Sequence, residues 1–85
     1  MILTDLLDIL ESDNKRDVIS LKQDGNTVSY KLDDATVTVN STSISNVSQI
    51  CLRNIDGTVY VYLNHTSRFE YTKYKLTDIN TFTMT

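Results

Sequence analysis

The chain has 85 residues and a mass of 9.7 kDa, which is room for one small domain over residues 1–85 and no second core. Eleven acids against eight bases give a formal charge of −3, while hydrophobic residues at 40% and charged residues at 22% lie near globular averages. With two glycines, no proline and one cysteine, these figures exclude a collagen-like chain, a disulfide scaffold, a multidomain enzyme and an integral membrane protein.

Residues 2–12 predict an amphipathic helix. Leu3, Leu6, Leu7 and Leu10 recur at helical spacing, Ile2 and Ile9 broaden the stripe, and Asp5, Asp8 and Ser12 fall opposite. Asp5 suits the positive end of the helix dipole, Lys15 and Arg16 suit the negative end, and Asp13 with Asn14 supplies a stop. Asp5, Asp8, Glu11 and Asp13 all precede the first base, so this segment carries a local negative field, for which a solvated helix face is the plainer account. The same run lacks a basic leader and is interrupted by Asp5 and Asp8, so it is not expected to act as a signal peptide. A lone Cys51 asks for no oxidising compartment, and a cytoplasmic location is expected. The sequons at Asn40, Asn46 and Asn64 are read as coincidences in a chain rich in Ser, Thr and Asn.

The rest reads as antiparallel sheet. Asp24 and Gly25 stand between two alternating runs, and a two-residue loop there sets Leu21 opposite Val28 and Ile19 opposite Tyr30. Asp33 and Asp34 predict a second tight connection that places Tyr30 against Val37 and Val28 against Val39, extending the meander into residues 36–40. Residues 41–48 are polar, anchored by Ile44 and Val47, and fit a loop, a helical turn or a ragged edge strand equally. Asp56 and Gly57 join residues 49–55 to 58–63 in a register that pairs Leu52 with Val61, Ile50 with Leu63, Cys51 with Tyr62 and Arg53 with Tyr60. Residues 64–67 turn the chain into 68–76. A four-residue loop aligns Phe69 and Tyr71 with Tyr62 and Tyr60, whereas five residues align them with Leu63 and Val61. Asp78 or Asn80 ends that strand, and residues 81–85 add a last one with Phe82 and Met84 inward. The fold class expected is α+β: a helix followed by a six- to seven-strand antiparallel meander, as a strongly bent sheet or a small, partly open barrel.

Little catalytic chemistry is legible. Cys51 on a strand has no neighbouring feature that would favour its thiolate, and His65 sits in a turn. One Cys and one His fall short of a zinc ligand set, and neither calcium-loop spacing nor a glycine-rich phosphate cradle is present. No metal, cofactor or enzymatic activity is expected. The acidic balance argues against duplex nucleic-acid binding.

One feature rises above a bland reading. Tyr60, Tyr62, Phe69, Tyr71 and Tyr74 cluster late in the chain, interleaved with Arg53, Arg68, Lys73 and Lys75. Tyr and Arg combine large contact area with a polar tip, as binding hot spots require, and the same mixture describes a stacking platform for bases. Filling the core of a domain without tryptophan is the competing account.

The helix leading into residues 18–22 ahead of Asp24 and Gly25 resembles the start of an Sm-like RNA-binding barrel, although Ser29 and Tyr30 stand where that family has a bend-permitting glycine. In length, acidity and polar β-rich composition the whole chain is similar to small phage-encoded inhibitors of host defence, anti-CRISPR proteins among them. That resemblance implies a viral protein working in the host cytoplasm by surface occupancy, with a larger host protein, such as a nucleic-acid-binding effector, as partner. On this expectation Arg53, Tyr60, Tyr62, Phe69 and Tyr71 anchor the contact, and Asp5, Asp8 and Glu11 offer charge to a basic groove. The alternatives are a homo-oligomeric Sm-like or nucleotide-sequestering module and a structural subunit of a phage assembly. No membrane partner is expected.

Overall fold

The computed structural model describes residues 1–12, 22–24, 27–67 and 69–85, with backbone alone at 11–12 and 22–24. Helix α1 (Leu3–Ser12) is followed by strands β1 (Lys22–Asp24), β2 (Thr27–Val39), β3 (Thr42–Ile55), β4 (Thr58–His65) and β5 (Tyr71–Lys75), a turn of 3₁₀-helix (Leu76–Asp78) and β6 (Phe82–Met84). All pairings are antiparallel, in the order β1-β2-β3-β4-β5, and β6 pairs with the far half of β2. The result is a strongly curled half-barrel sheet with one helix laid on its inner face.

Two hairpins hold the centre together. At Asp56 (φ 53°) and Gly57 (φ 87°) both turn residues are left-handed, the geometry whose twist matches flanking strands. The register that follows is the one the sequence predicts: Leu52↔Val61, Ile50↔Leu63, Cys51↔Tyr62 and Arg53↔Tyr60. Asn40 (φ 50°) and Ser41 (φ 71°) make the same kind of turn between β2 and β3. Of residues 41–48, Ser41 completes the turn and 42–48 open a 14-residue strand lying between β2 and β4.

Asp33 and Asp34 do not reverse the chain, contrary to expectation. They interrupt a single 13-residue strand, so Tyr30 pairs with Ile50 and Val28 with Leu52 on β3. The two strands expected on either side of that pair are one. Between Lys31↔Gln49 and Ala35↔Val47, β2 has three residues where β3 has one. One extra residue on β3 follows between Ala35↔Val47 and Val37↔Ile44, and another shift between β3 and β4 lies at Val47 and Gln49. Asp34 (φ 52°) and Asn46 (φ 60°) take the left-handed conformations these bulges need. Bulges bend a strand and increase its twist, so three at one level across adjacent strands account for the curl.

On β1 the observed register pairs Gln23 with Val28 and Lys22 with Ser29, not Leu21 with Val28; Leu21, Ile19 and the stop at Asp13 and Asn14 lie outside the described residues. β5 ends at Lys75 rather than at Asp78 or Asn80. Its register pairs Leu63 with Thr72 and Tyr62 with Lys73, which is neither of the two alignments expected.

The core fills the concavity of the sheet. Tyr30, Val37, Val39, Val47, Ile50, Val61 and Leu63 point inward, and Leu76, Ile79 and Phe82 cross beneath them on the way to β6. A ten-residue helix is too short to persist alone, so α1 depends on docking Leu6 and Leu10 there. Leu7 and Ile9 pack at the margin, whereas Ile2 and Leu3, expected within the stripe, are exposed.

Candidate binding face

Strand parity gives the sheet a second surface. With Ile50, Leu52, Val61 and Leu63 committed to the core, the alternate positions of β2 to β5 must face outward. The registers align them in three rows: Lys31–Gln49–Asn64–Tyr71, Ser29–Cys51–Tyr62–Lys73 and Thr27–Arg53–Tyr60–Lys75. These positions carry four cations (Lys31, Arg53, Lys73 and Lys75) and no carboxylate. By register, Lys22 and Asp24 of β1 continue the last two rows. Half of the chain's eight bases thus gather on one surface of a protein whose net charge is −3.

The aromatic rings on this face are already engaged. Lys73 Nζ sits 4.9 Å from the centre of the Tyr60 ring and 6.0 Å from that of Tyr62. The Arg53 guanidinium approaches the Tyr62 ring centre at 5.8 Å, and Tyr71 meets Tyr62 edge-on at 5.3 Å between centroids. Each contact is electrostatically favourable because ring faces are negative and ring edges positive. Tyr60 and Tyr62 are half-buried under these neighbours, while Arg53, Lys73 and Tyr71 are exposed.

The polar positions are tied together beneath them. Asn64 Nδ2 donates to Gln49 Oε1 at 3.0 Å and to Cys51 Sγ at 3.5 Å, and Ser29 Oγ lies 3.4 Å from the same sulfur. Cys51 is therefore half-buried within a hydroxyl and amide network, and no hydrogen bond joins it to His65 among the described residues. No group of three His, Cys, Asp or Glu side chains suited to a metal occurs among the described residues. None of the described helices is long and apolar enough to cross a membrane.

Above the bulges the outward surface changes character, with Thr36, Thr38, Ser43 and Thr83 and no charge. The two zones meet at a polar hub that composition does not reveal. The Thr66 hydroxyl lies 2.8 Å from Asp34 Oδ1 and 3.0 Å from the Asn46 carbonyl, sharing its one proton, while Asn46 Nδ2 donates to Asp34 Oδ1 at 3.1 Å. The Thr66 hydroxyl, and after it the Asn46 amide, hold the Asp34 carboxyl below its ordinary value of 3.8. The hub fixes the β4–β5 turn beside an open groove of 590 Å³ whose walls include Gln49, Asn64, His65, Phe69 and Tyr71.

The expected site residues thus divide. Arg53, Tyr60, Tyr62 and Tyr71 come together, joined by Lys73 and Lys75. Phe69 is not on a strand; it stands fully exposed in the β4–β5 turn at the groove's rim, and Arg68 lies outside the described residues. Tyr74 turns inward beside Val61. Asp5 and Asp8 are exposed on α1, which packs on the inner face, so the core and sheet separate them from the tyrosines. Glu11 belongs to the same helix, its side chain outside the described set. No protein-family model matches the chain, and comparisons with characterised proteins and with solved structures return no similar protein.

Proposed function

We propose that this is a non-enzymatic binding protein that occupies an acidic surface of a larger protein through the outer face of β3, β4 and β5. The seating of Lys73 and Arg53 on the faces of Tyr60 and Tyr62 carries this reading. Base stacking needs open ring faces, and protein cations lie over those of Tyr60 and Tyr62, the two rings at the centre of the face. What the face offers instead is a set of pre-positioned cationic groups and phenol hydroxyls, which match carboxylates. The reading fits inhibition by occupancy, as in the phage-encoded host-defence inhibitors that the chain resembles in format.

The test compares capture of bacterial proteins by the immobilised wild type, by an Arg53→Glu/Lys73→Glu variant and by a Ser43→Glu/Thr83→Glu control, all checked for folding. An acidic partner should be lost on charge reversal, kept by the control and released by salt, because contacts at an exposed face are screened within about 8 Å at physiological ionic strength. Undiminished capture by Arg53→Glu/Lys73→Glu would refute the reading. So would an oligo(dT) strand that quenches tyrosine emission when no acidic protein binds.

A further inference from the structure

The outer face alone is small for its task. Four strands about 4.8 Å apart and five residues at about 3.4 Å cover roughly 330 Å², against about 800 Å² per partner in a stable protein interface. A partner must spread past its margin, and at β5 the margin is the end of the sheet path.

The polarity of that edge follows from the registers. The two-residue turn at Asp56 and Gly57 makes Ile55↔Thr58 a hydrogen-bonded pair, so by alternation Thr58, Tyr60, Tyr62 and Asn64 direct their backbone groups to β3. Val59, Val61, Leu63 and His65 then direct theirs to β5, and the 3.1 Å bond from His65 N to Glu70 O agrees. On β5 this commits Thr72 and Tyr74 inward and aims the backbone N–H groups of Tyr71, Lys73 and Lys75 away from the sheet. Among the described residues β5 pairs only with β4. The residues with outward N–H groups are also those whose side chains lie on the basic face.

Resting on the reading above, we infer that the β5 edge accepts an extended acidic segment of the partner as an added strand. Tyr71, Lys73 and Lys75 would supply both its backbone donors and its side-chain neighbours. Charge selects this occupant over a second copy of the chain. The antiparallel pairing that overlaps the whole of β5 with a second copy sets Lys73 against Lys73, and like charges directly opposite are destabilising. The same lysines that guard the edge against self-pairing favour a strand with Asp or Glu at alternate positions. Residues between those acids would fall beside Thr72 and Tyr74 on the half-buried side and suit β-branched side chains.

The probe is an acetylated, amidated heptapeptide, Thr-Glu-Val-Glu-Val-Glu-Thr, followed by amide NMR of the whole chain. Expected are shifts at the Tyr71, Lys73 and Lys75 amides, and their absence with the peptide in which Lys replaces Glu. Lys75 has φ −79°, which proline tolerates, so Lys75→Pro removes the outward donor while Lys75→Ala removes only the side chain. Affinity should fall about tenfold further in Lys75→Pro than in Lys75→Ala. A heptapeptide N-methylated at its three Glu residues, whose N–H groups would face β5, should not bind the wild type, a readout that does not depend on how the variant folds. Equal affinities for the two Lys75 variants, or tight binding of the N-methylated peptide, would overturn strand addition and leave the face itself standing. No shift at millimolar acidic peptide would also overturn it, whereas equal binding of the Lys peptide would remove the acidic-partner reading as well.

Discussion

Asn40 offers the sharpest test of how the half-barrel closes. Its Nδ2 donates to Asp78 O at 2.9 Å, and its Oδ1 accepts from Asn80 N at 2.7 Å and Thr81 N at 3.1 Å. One side chain thus clamps the segment that delivers Ile79 and Phe82 to the core and β6 to β2. Replacing it by glycine keeps φ 50° available but removes all three bonds. A hydrogen bond contributes about 0.5–1.5 kcal/mol net, and because Asn40 is exposed water re-pairs the released groups, so the low end applies: about 1.5–2 kcal/mol in all. Asn40→Ala should lose about 1 kcal/mol more, since a β-carbon makes the left-handed conformation costly. For a domain of this size each kcal/mol moves Tm by about 4–8 °C. Urea unfolding at constant m-value measures the series. A glycine variant within about 0.5 kcal/mol of wild type, or an alanine variant no worse than glycine, would refute the clamp.

Leu6→Ala should cost about 2–4 kcal/mol and reduce the helical circular dichroism signal, because Leu6 is fully buried and holds α1 on the sheet, whereas Ile2→Ala, at 64% exposure, should stay within about 0.5 kcal/mol. For Asp34 the sign follows from its lowered folded pKa: its contribution is complete above the ordinary value of 3.8 and is lost as pH falls below that value through the lower folded one. Asp34→Asn should therefore flatten the stability profile only in that acid window, and identical acid slopes in urea midpoints would contradict the hub.

What could be read in the sequence depended on where the deciding contacts lie. The Asp56 and Gly57 hairpin was legible because turn chemistry and hydrophobic alternation are both local and agree. Asp33 and Asp34 misled because a turn and a bulge ask for the same thing, a residue that tolerates positive φ between alternating runs. What separates them is the partner across the sheet, here Asn46 and Thr66, which are 12 and 32 residues away from Asp34. The β5 register failed for a related reason. The four-residue loop read from the sequence starts at Asn64, whereas β4 continues through His65, whose N–H bonds Glu70 O, and this shifts every later pair.

The candidate face shows the same division between parity and register. Alternation along β4 is enough to set Tyr60 and Tyr62 opposite the core-facing Val61 and Leu63, and the β3–β4 register adds Arg53. Lys73 enters only once β5 is aligned, and its position over both rings changes the chemistry from an open stacking platform to a capped, cationic surface. Net charge points away from this result because it sums two sides of the molecule that a partner does not meet together. Asp5 and Asp8 are exposed on α1, which packs on the inner face, so they stand on the side of the sheet opposite the outer rows. On the proposed reading, a partner approaching the outer rows meets their four cations before the acids of α1, and the sign of the local field, rather than of the sum, would select what binds.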